Sequence, residues 1–219
     1  MNILDLKKNI LEDNDKEADI LRDELKDNGL FYINIMSSPG SGKTSTILRI
    51  IEGLRDKYKI GVLEADIDSD VDAITVEKTG TKAIQLHTGG MCHLDADMSR
   101  QALGGLDASG LDLVILENVG NLVCPAEFDT GSHMNFVILS VPEGDDKPLK
   151  YPLVFTKCQA VIINKIDSMP VFDFSMENVE KYVKELNPDA RIFPISAKTG
   201  EGCDELCAWM SERIEASHE

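Results

Sequence analysis

Seven short apolar runs alternate with segments of helical length, and that rhythm leaves few folds open to the chain. The runs are Phe31–Met36, Ile60–Glu64, Ala83–His87, Leu113–Glu117, Phe136–Val141, Ala160–Asn164 and Arg191–Ile195. Most are continuous rather than alternating, as in strands buried on both faces of a parallel sheet. Between them lie Lys43–Lys57, Leu94–Leu103, Ser175–Leu186 and Glu201–Ile214, which read as helices. This alternation predicts a doubly wound α/β domain, a mostly parallel sheet of about seven strands with helices on both faces. Such sheets bind ligands at the carboxyl ends of their strands. No Pro-rich or Ser/Gly-rich linker divides the 219 residues, so one domain is expected at 30–219, with an N-terminal helical extension at 1–29. In that extension residues 15–28 read as an amphipathic helix, with Leu21 and Leu25 on one face and Asn28-Gly29 as a left-handed stop.

The first strand runs into Ser37-Ser38-Pro39-Gly40-Ser41-Gly42-Lys43-Thr44, with Ser45 next in the following helix. This is the phosphate-binding loop pattern of P-loop NTPases, except that Ser37 stands where the first glycine is expected. Gly40 and Gly42 still allow successive backbone N–H groups to turn inward on a phosphate. Lys43 can then reach the β- and γ-phosphates, and the Thr44 hydroxyl can join a Mg²⁺ shell. A glycine-rich turn with an accidental lysine would look similar, but a strand before it and a helix after it argue against accident.

Two further tetrapeptide-scale signals sit at strand ends. Asn164-Lys165-Ile166-Asp167 follows the sixth run, and Ser196-Ala197-Lys198 follows the seventh. The Asp167 carboxylate can accept from the N1–H and exocyclic amine of guanine, whereas adenine would leave it unpaired at a cost of about 1–3 kcal/mol or more. Asn164 is expected to brace the loop, the Lys165 stem to cover the base, and the Ala197 N–H to face the guanine O6. Each signal alone is weak; their order behind a P-loop predicts GTP/GDP rather than ATP.

Mg²⁺ requires hard oxygen ligands near Thr44, and Asp66 and Glu117 stand at strand ends. Asp68, Asp70 and Asp72 crowd the segment after Asp66, mostly as solvated loop acids. No glutamine or histidine stands out to position an attacking water, so slow hydrolysis is expected. Cys92-His93 and Cys124 lie on two loops expected at the same sheet edge as the phosphates. Two thiolates and an imidazole suit Zn²⁺ or Ni²⁺. A free cysteine is as commonly a small buried hydrophobe, and one chain supplies three candidate ligands, short of a closed four-ligand site. A two-fold dimer would double the set. Cys158, Cys203 and Cys207 read as packing residues, and His87 and His133 as structural or exposed.

Composition narrows the partners. The formal charge of −17 argues against a nucleic-acid surface, which needs clustered cations. It suits solubility and is compatible with attracting metal cations. No apolar stretch of transmembrane length occurs, and Met1–Leu21 lacks a signal-peptide core, so a cytoplasmic protein is expected. Five scattered cysteines do not form a disulfide framework. Gly131-Ser132-His133-Met134 has the spelling of a cloning scar, but it joins a continuous loop to a strand and reads as native.

With these residues in place, the chain resembles the HypB family, GTPases that assist nickel insertion during maturation of nickel-iron hydrogenase. The resemblance runs from about Ala18 to Trp209 and is most specific in SSPGSGKT (37–44), GMCHLDA (90–96), ENVGNLVCPAEFD (117–129), EGDDKPLKYP (143–152), NKID (164–167) and SAKTGEG (196–202). It implies a metal site of Cys92, His93 and Cys124 at the interface of a GTP-promoted homodimer. It implies switch-like roles for Asp66 and Asp72, a Walker B-like role for Glu117, and dimer and nucleotide contacts for Lys147. The helix at 15–28 resembles the segment that docks HypA, a small nickel- and zinc-binding accessory protein, and the hydrogenase large subunit is the implied recipient. Two departures stand out. Many relatives carry an N-terminal cysteine motif or histidine-rich tract, where this chain reads MNILDLKK, so dependence on the site in the GTPase domain or on a partner is expected. The segment Asp72–Val76 also lacks the arginine expected two residues past its Asp-Ala pair.

The resemblance implies a switch in which GTP·Mg²⁺ orders loops 64–72 and 117–125 and hydrolysis relaxes the metal site. Three other readings compete: a urease-type accessory GTPase, a metal-binding scaffold whose GTP site is structural, and a small-molecule kinase. Adjacent rather than spaced Cys-His disfavours the first, and Asn-Lys-x-Asp without an evident lid disfavours the last.

Overall fold

A computed structural model describes the backbone of residues 6–66 and 71–217, and the side chains of residues 10–65 and 72–217. In chain order the elements are α1 (Leu6–Asp27), β1 (Phe31–Ser37), α2 (Lys43–Leu54), β2 (Ile60–Asp66), α3 (Val71–Glu77), β3 (Lys82–His87), α4 (Ala96–Leu106) and β4 (Leu113–Glu117). They continue with α5 (Cys124–Glu127), β5 (Met134–Ser140), α6 (Lys147–Lys150), α7 (Pro152–Thr156), β6 (Ala160–Asn164), α8 (Met176–Leu186), β7 (Arg191–Pro194) and α9 (Cys203–Ser217). The seven described strands form one sheet in the order β3-β2-β4-β1-β5-β6-β7, and every pairing is parallel.

The central strands β1, β4 and β6 are buried at every position, as their unbroken apolar runs require. Edge strands β3 and β7 are partly exposed and carry the charged residues Lys82 and Arg191. One apolar layer joins α2 and α9 to the sheet through Ile47, Ile50, Phe136 and Trp209. A second lies under α7 and α8, and a third under α1 and α4.

α1 starts well before the predicted 15–28 and ends where Asn28-Gly29 were expected to stop it, with Gly29 at φ 67°. Leu21 and Leu25 are buried against Tyr32, Leu103 and Val114. Residues 131–134 are woven into the sheet. The Tyr32 N–H donates to His133 Nδ1 at 3.0 Å, the His133 N–H donates to Tyr32 O at 2.8 Å, and the ring stacks on Phe31. Burial, and then the Arg22 charge, hold the His133 pKa below its ordinary value. Cys158, Cys203 and Cys207 are buried in the apolar layers, as packing residues should be. Among the described residues no helix is long and apolar enough to cross a membrane.

Candidate nucleotide and metal sites

The loop between β1 and α2 is shaped by close approach. Gly42 has φ 95°, and a Cβ there would stand 2.5 Å from Asn164 Nδ2. Only glycine satisfies both the backbone and the neighbour. The departure at Ser37 is absorbed locally: its hydroxyl donates to Ser38 O at 2.8 Å and accepts from Ser41 Oγ at 2.7 Å. The Ser41 side chain is thereby turned into the loop, leaving its backbone N–H for a phosphate.

Asn164 braces three segments at once. Its Nδ2 donates to Ser41 O at 3.0 Å, while its Oδ1 accepts from the Lys165 N–H at 2.7 Å and the Ala197 N–H at 3.1 Å. The Ala197 N–H assigned to guanine O6 is therefore engaged internally, and a base must share or replace that bond. Lys165 sits in left-handed backbone at φ 63°, and its Nζ donates to Gly40 O at 2.6 Å. Asp167 accepts from Ser196 Oγ at 2.7 Å, with Lys198 Nζ 3.8 Å away. Arg49, absent from the sequence reasoning, donates from α2 to Ala197 O at 2.8 Å and Lys198 O at 3.0 Å. Nothing in its local sequence marks it beyond a cation one and a half turns past Lys43.

At the phosphate end a cavity of about 320 Å³ is lined by Gly40, Lys43, Glu64, Asp72, Glu117 and Gly120, among others. Thr44 Oγ1 donates to Glu117 Oε1 at 3.1 Å, and Lys43 Nζ is 3.9 Å from the same oxygen. Sequence reasoning passed over Glu64 as a strand end. Parallel pairing sets it at the same register position as Glu117 on the neighbouring strand, which local spacing does not reveal. Both carboxylates are buried, and among the described residues Glu64 Oε1 and Glu117 Oε2 have no hydrogen-bond donor. Burial, and then the adjacent Glu117, push the Glu64 pKa up to about 10. Burial also raises Glu117, while Lys43 pulls the other way. Buried carboxylates with unmatched oxygens beside a threonine hydroxyl fit a hard divalent cation such as Mg²⁺. Asp66 ends β2, but its side chain, together with Asp68 and Asp70, lies outside the described residues. Lys147 reaches Ser38 Oγ at 3.4 Å and Glu143 at 3.5 Å, so it borders the P-loop from the far side.

The loops after β3 and β4 leave the same sheet edge as the P-loop. The neighbouring Cys124 thiol is the chief reason the Cys92 thiol is raised above its ordinary range. Cys92 Sγ lies 3.9 Å from His93 Nδ1, and the His93 ring stacks on Phe128 with centroids 3.8 Å apart. Cys124 opens α5 rather than lying in a loop. Met91 and Val123 beside these thiols are exposed. Among the described residues no group of three or more His, Cys, Asp or Glu side chains is gathered to hold an ion. A single chain thus sets Cys92 beside both His93 and Cys124 without gathering a closed ligand set.

Comparison with known proteins places this arrangement. The family model of the CobW/HypB/UreG nucleotide-binding domain matches residues 31–194. The hydrogenase maturation factor HypB of Azotobacter vinelandii is 44% identical over 211 residues, spanning 96% of this chain and 70% of that protein. The chain belongs to the HypB family. The hydrogenase/urease maturation factor HypB of Helicobacter pylori is 42% identical, over 93% of this chain and 85% of its own. The crystal structure of Helicobacter pylori HypB in complex with nickel superposes with a TM-score of 0.88 at 39% identity, covering 94% of this chain and 97% of that one. The doubly wound α/β fold expected from the strand-helix rhythm, the P-loop class expected from residues 37–44 and the HypB resemblance all hold.

Proposed function

We propose that this HypB-family chain is a GTP-hydrolysing metallochaperone of the cytoplasm. On this reading it carries nickel, or zinc, on Cys92, His93 and Cys124 at the interface of a GTP-promoted homodimer, and supports nickel insertion into the hydrogenase large subunit. A HypA-like accessory protein docking on α1 would supply or receive the ion. The observation that carries the reading is the continuity of residues 117–124. Glu117 at one end holds Thr44 and Lys43 of the phosphate site, and Cys124 at the other neighbours Cys92 and raises its thiol pKa. Between them Gly120 packs so closely on the P-loop that a Cβ there would meet Pro39 at 3.1–3.3 Å. Phosphate occupancy and thiol position therefore share one short stretch of backbone.

Lys43 would turn from Glu117 to the β- and γ-phosphate oxygens, and Asn164, Asp167 and Ala197 would hold the guanine. Mg²⁺, when bound, spreads the phosphate charge, and Thr44, Glu117 and Asp66 are the residues that would hold it. With Lys43 drawn to the phosphates, Glu117 would be free to face the cation it holds, and the 118–124 loop would shift, presenting Cys124 to a second copy. Attack of water on the γ-phosphorus breaks the bond to the β-bridging oxygen, and loss of the γ-phosphate lets Lys43 return. A second reading, loading of a different nickel enzyme, is favoured by the combined hydrogenase and urease name of the Helicobacter pylori relative.

Equilibrium titration with nickel and with zinc, in GDP and in a non-hydrolysable GTP analogue, tests the proposal. Affinity or stoichiometry should change with the nucleotide and collapse in Cys92→Ala and Cys124→Ala. Binding indifferent to nucleotide and to both thiols would remove the metal role from this chain.

A further inference from the structure

α1 grips both metal-bearing loops from behind. Asn14 Oδ1 accepts from the Ala96 N–H at 3.0 Å, at the first residue of α4 and three residues past His93. Its Nδ2 donates to Asp129 O at 3.0 Å, two residues past the end of α5. One amide thus spans the exits of the Cys92-His93 loop and the Cys124 helix. Eight residues further along α1, Arg22 Nη2 donates to both carboxylate oxygens of Asp129, at 2.7 and 2.8 Å, and its Nε donates to Ser132 O at 2.9 Å. Asp129 follows directly on Phe128, the ring that stacks on His93. A cavity of about 580 Å³ bounded by Asp15, Arg22, Pro125, Ala126 and Phe128 separates α1 from the body of α5. The helix is anchored at its exit and has free space beside its middle.

We propose that Asn14, supported by Arg22, is a positioning residue for the metal site, fixing the separation of the His93 and Cys124 loops from α1. The inference rests on the metal role proposed above. Through this one amide, α1 ties two loops that are distant in sequence to a single helix. A residue that orients metal ligands from outside the ligand set changes affinity by about ten- to a hundredfold when removed. Because α1 carries the bonds, whatever grips α1 also acts on the spacing of the ligands.

The test compares the full chain with Asn14→Ala, Asn14→Asp and Cys92→Ala. For each, nickel affinity, the nickel-thiolate charge-transfer absorption and GDP affinity are measured. Asn14→Asp keeps the acceptor for Ala96 and loses the donor to Asp129, and it remains informative should the alanine variant fold poorly. The expected result is about a tenfold loss of nickel affinity in Asn14→Ala. The absorption band should shift and GDP affinity should stay unchanged, with Asn14→Asp falling between it and the parent chain. Parent-like nickel affinity and spectrum in both Asn14 variants, while Cys92→Ala abolishes binding, would overturn the positioning role alone. Equal losses of GDP and nickel affinity would overturn it as well, as general loosening. Nickel binding by Cys92→Ala as strong as in the parent chain would overturn the metal reading and this inference with it.

Discussion

The guanine end and the thiol end of this molecule are built to different degrees of completion. Around the base site Asn164 joins the P-loop, its own loop and the 196–198 loop through three hydrogen bonds, and Arg49 clamps the last of these from α2. Its loops are already tied together, so binding there costs little reorganisation beyond sharing or displacing the Ala197 N–H bond to Asn164. Around the thiols a single chain offers Cys92 beside Cys124 and 3.9 Å from His93 Nδ1, a His93 ring stacked on Phe128, and exposed Met91 and Val123, with no closed ligand set among the described residues. A site finished in one chain can bind its ligand alone. A site half-finished, on loops anchored to the first, is suited to being completed only in one nucleotide state.

The largest break in that comparison should come from Asp167→Asn. Removing the carboxylate proposed to recognise guanine should lower GTP affinity by roughly a hundredfold and ITP affinity less, since hypoxanthine offers only the N1–H, while XTP, whose 2-oxo group can accept from the new amide, should gain. Competition binding with GTP, ITP and XTP checks it. Gly42→Ala strikes the same end through sterics. With φ 95° and Asn164 Nδ2 2.5 Å from the new Cβ, it should cost about 1–3 kcal/mol of stability and loosen nucleotide binding. Denaturant unfolding and GDP titration measure both.

Arg49→Ala sharpens the picture of a pre-built base site. It should weaken GDP binding by a few-fold, about 1 kcal/mol for the lost hydrogen bonds, and leave nickel binding untouched. The smallest effect belongs to His133. Its pKa is lowered by burial, so the unfolded chain binds a proton more readily between the folded value and about 6.5. Stability from this residue is complete above the unfolded pKa and is lost as pH falls through that window. His133→Asn, which can still accept from the Tyr32 N–H, should flatten this part of the stability curve, read from unfolding midpoints between pH 5 and pH 7.

The same contrast explains what the sequence revealed. Strand positions were legible because burial on both faces forces unbroken apolar runs. β4 and β6 match residue for residue, while β5 begins two residues early because Met134 pairs with Ile33. The base and phosphate residues were legible because their chemistry is packed into short contiguous motifs. Glu64 was missed because its meaning comes from parallel register with Glu117. Arg49 and Asn14 were missed because their bonds join residues far apart in the chain. The short helices α6 and α7, flanking Tyr151, carry Pro148 and Pro152 in their first turns and are too brief for periodicity to register.

Native mass spectrometry of the nickel-loaded chain, in GDP and in a non-hydrolysable GTP analogue, tests the central claim most directly. The account predicts nickel retained on a dimer in the GTP-analogue state, lost with Cys124→Ala, and weakly held or absent on the monomer in GDP. Nickel bound equally well by the monomer in both states would contradict it, because the thiol end would then be complete in one chain.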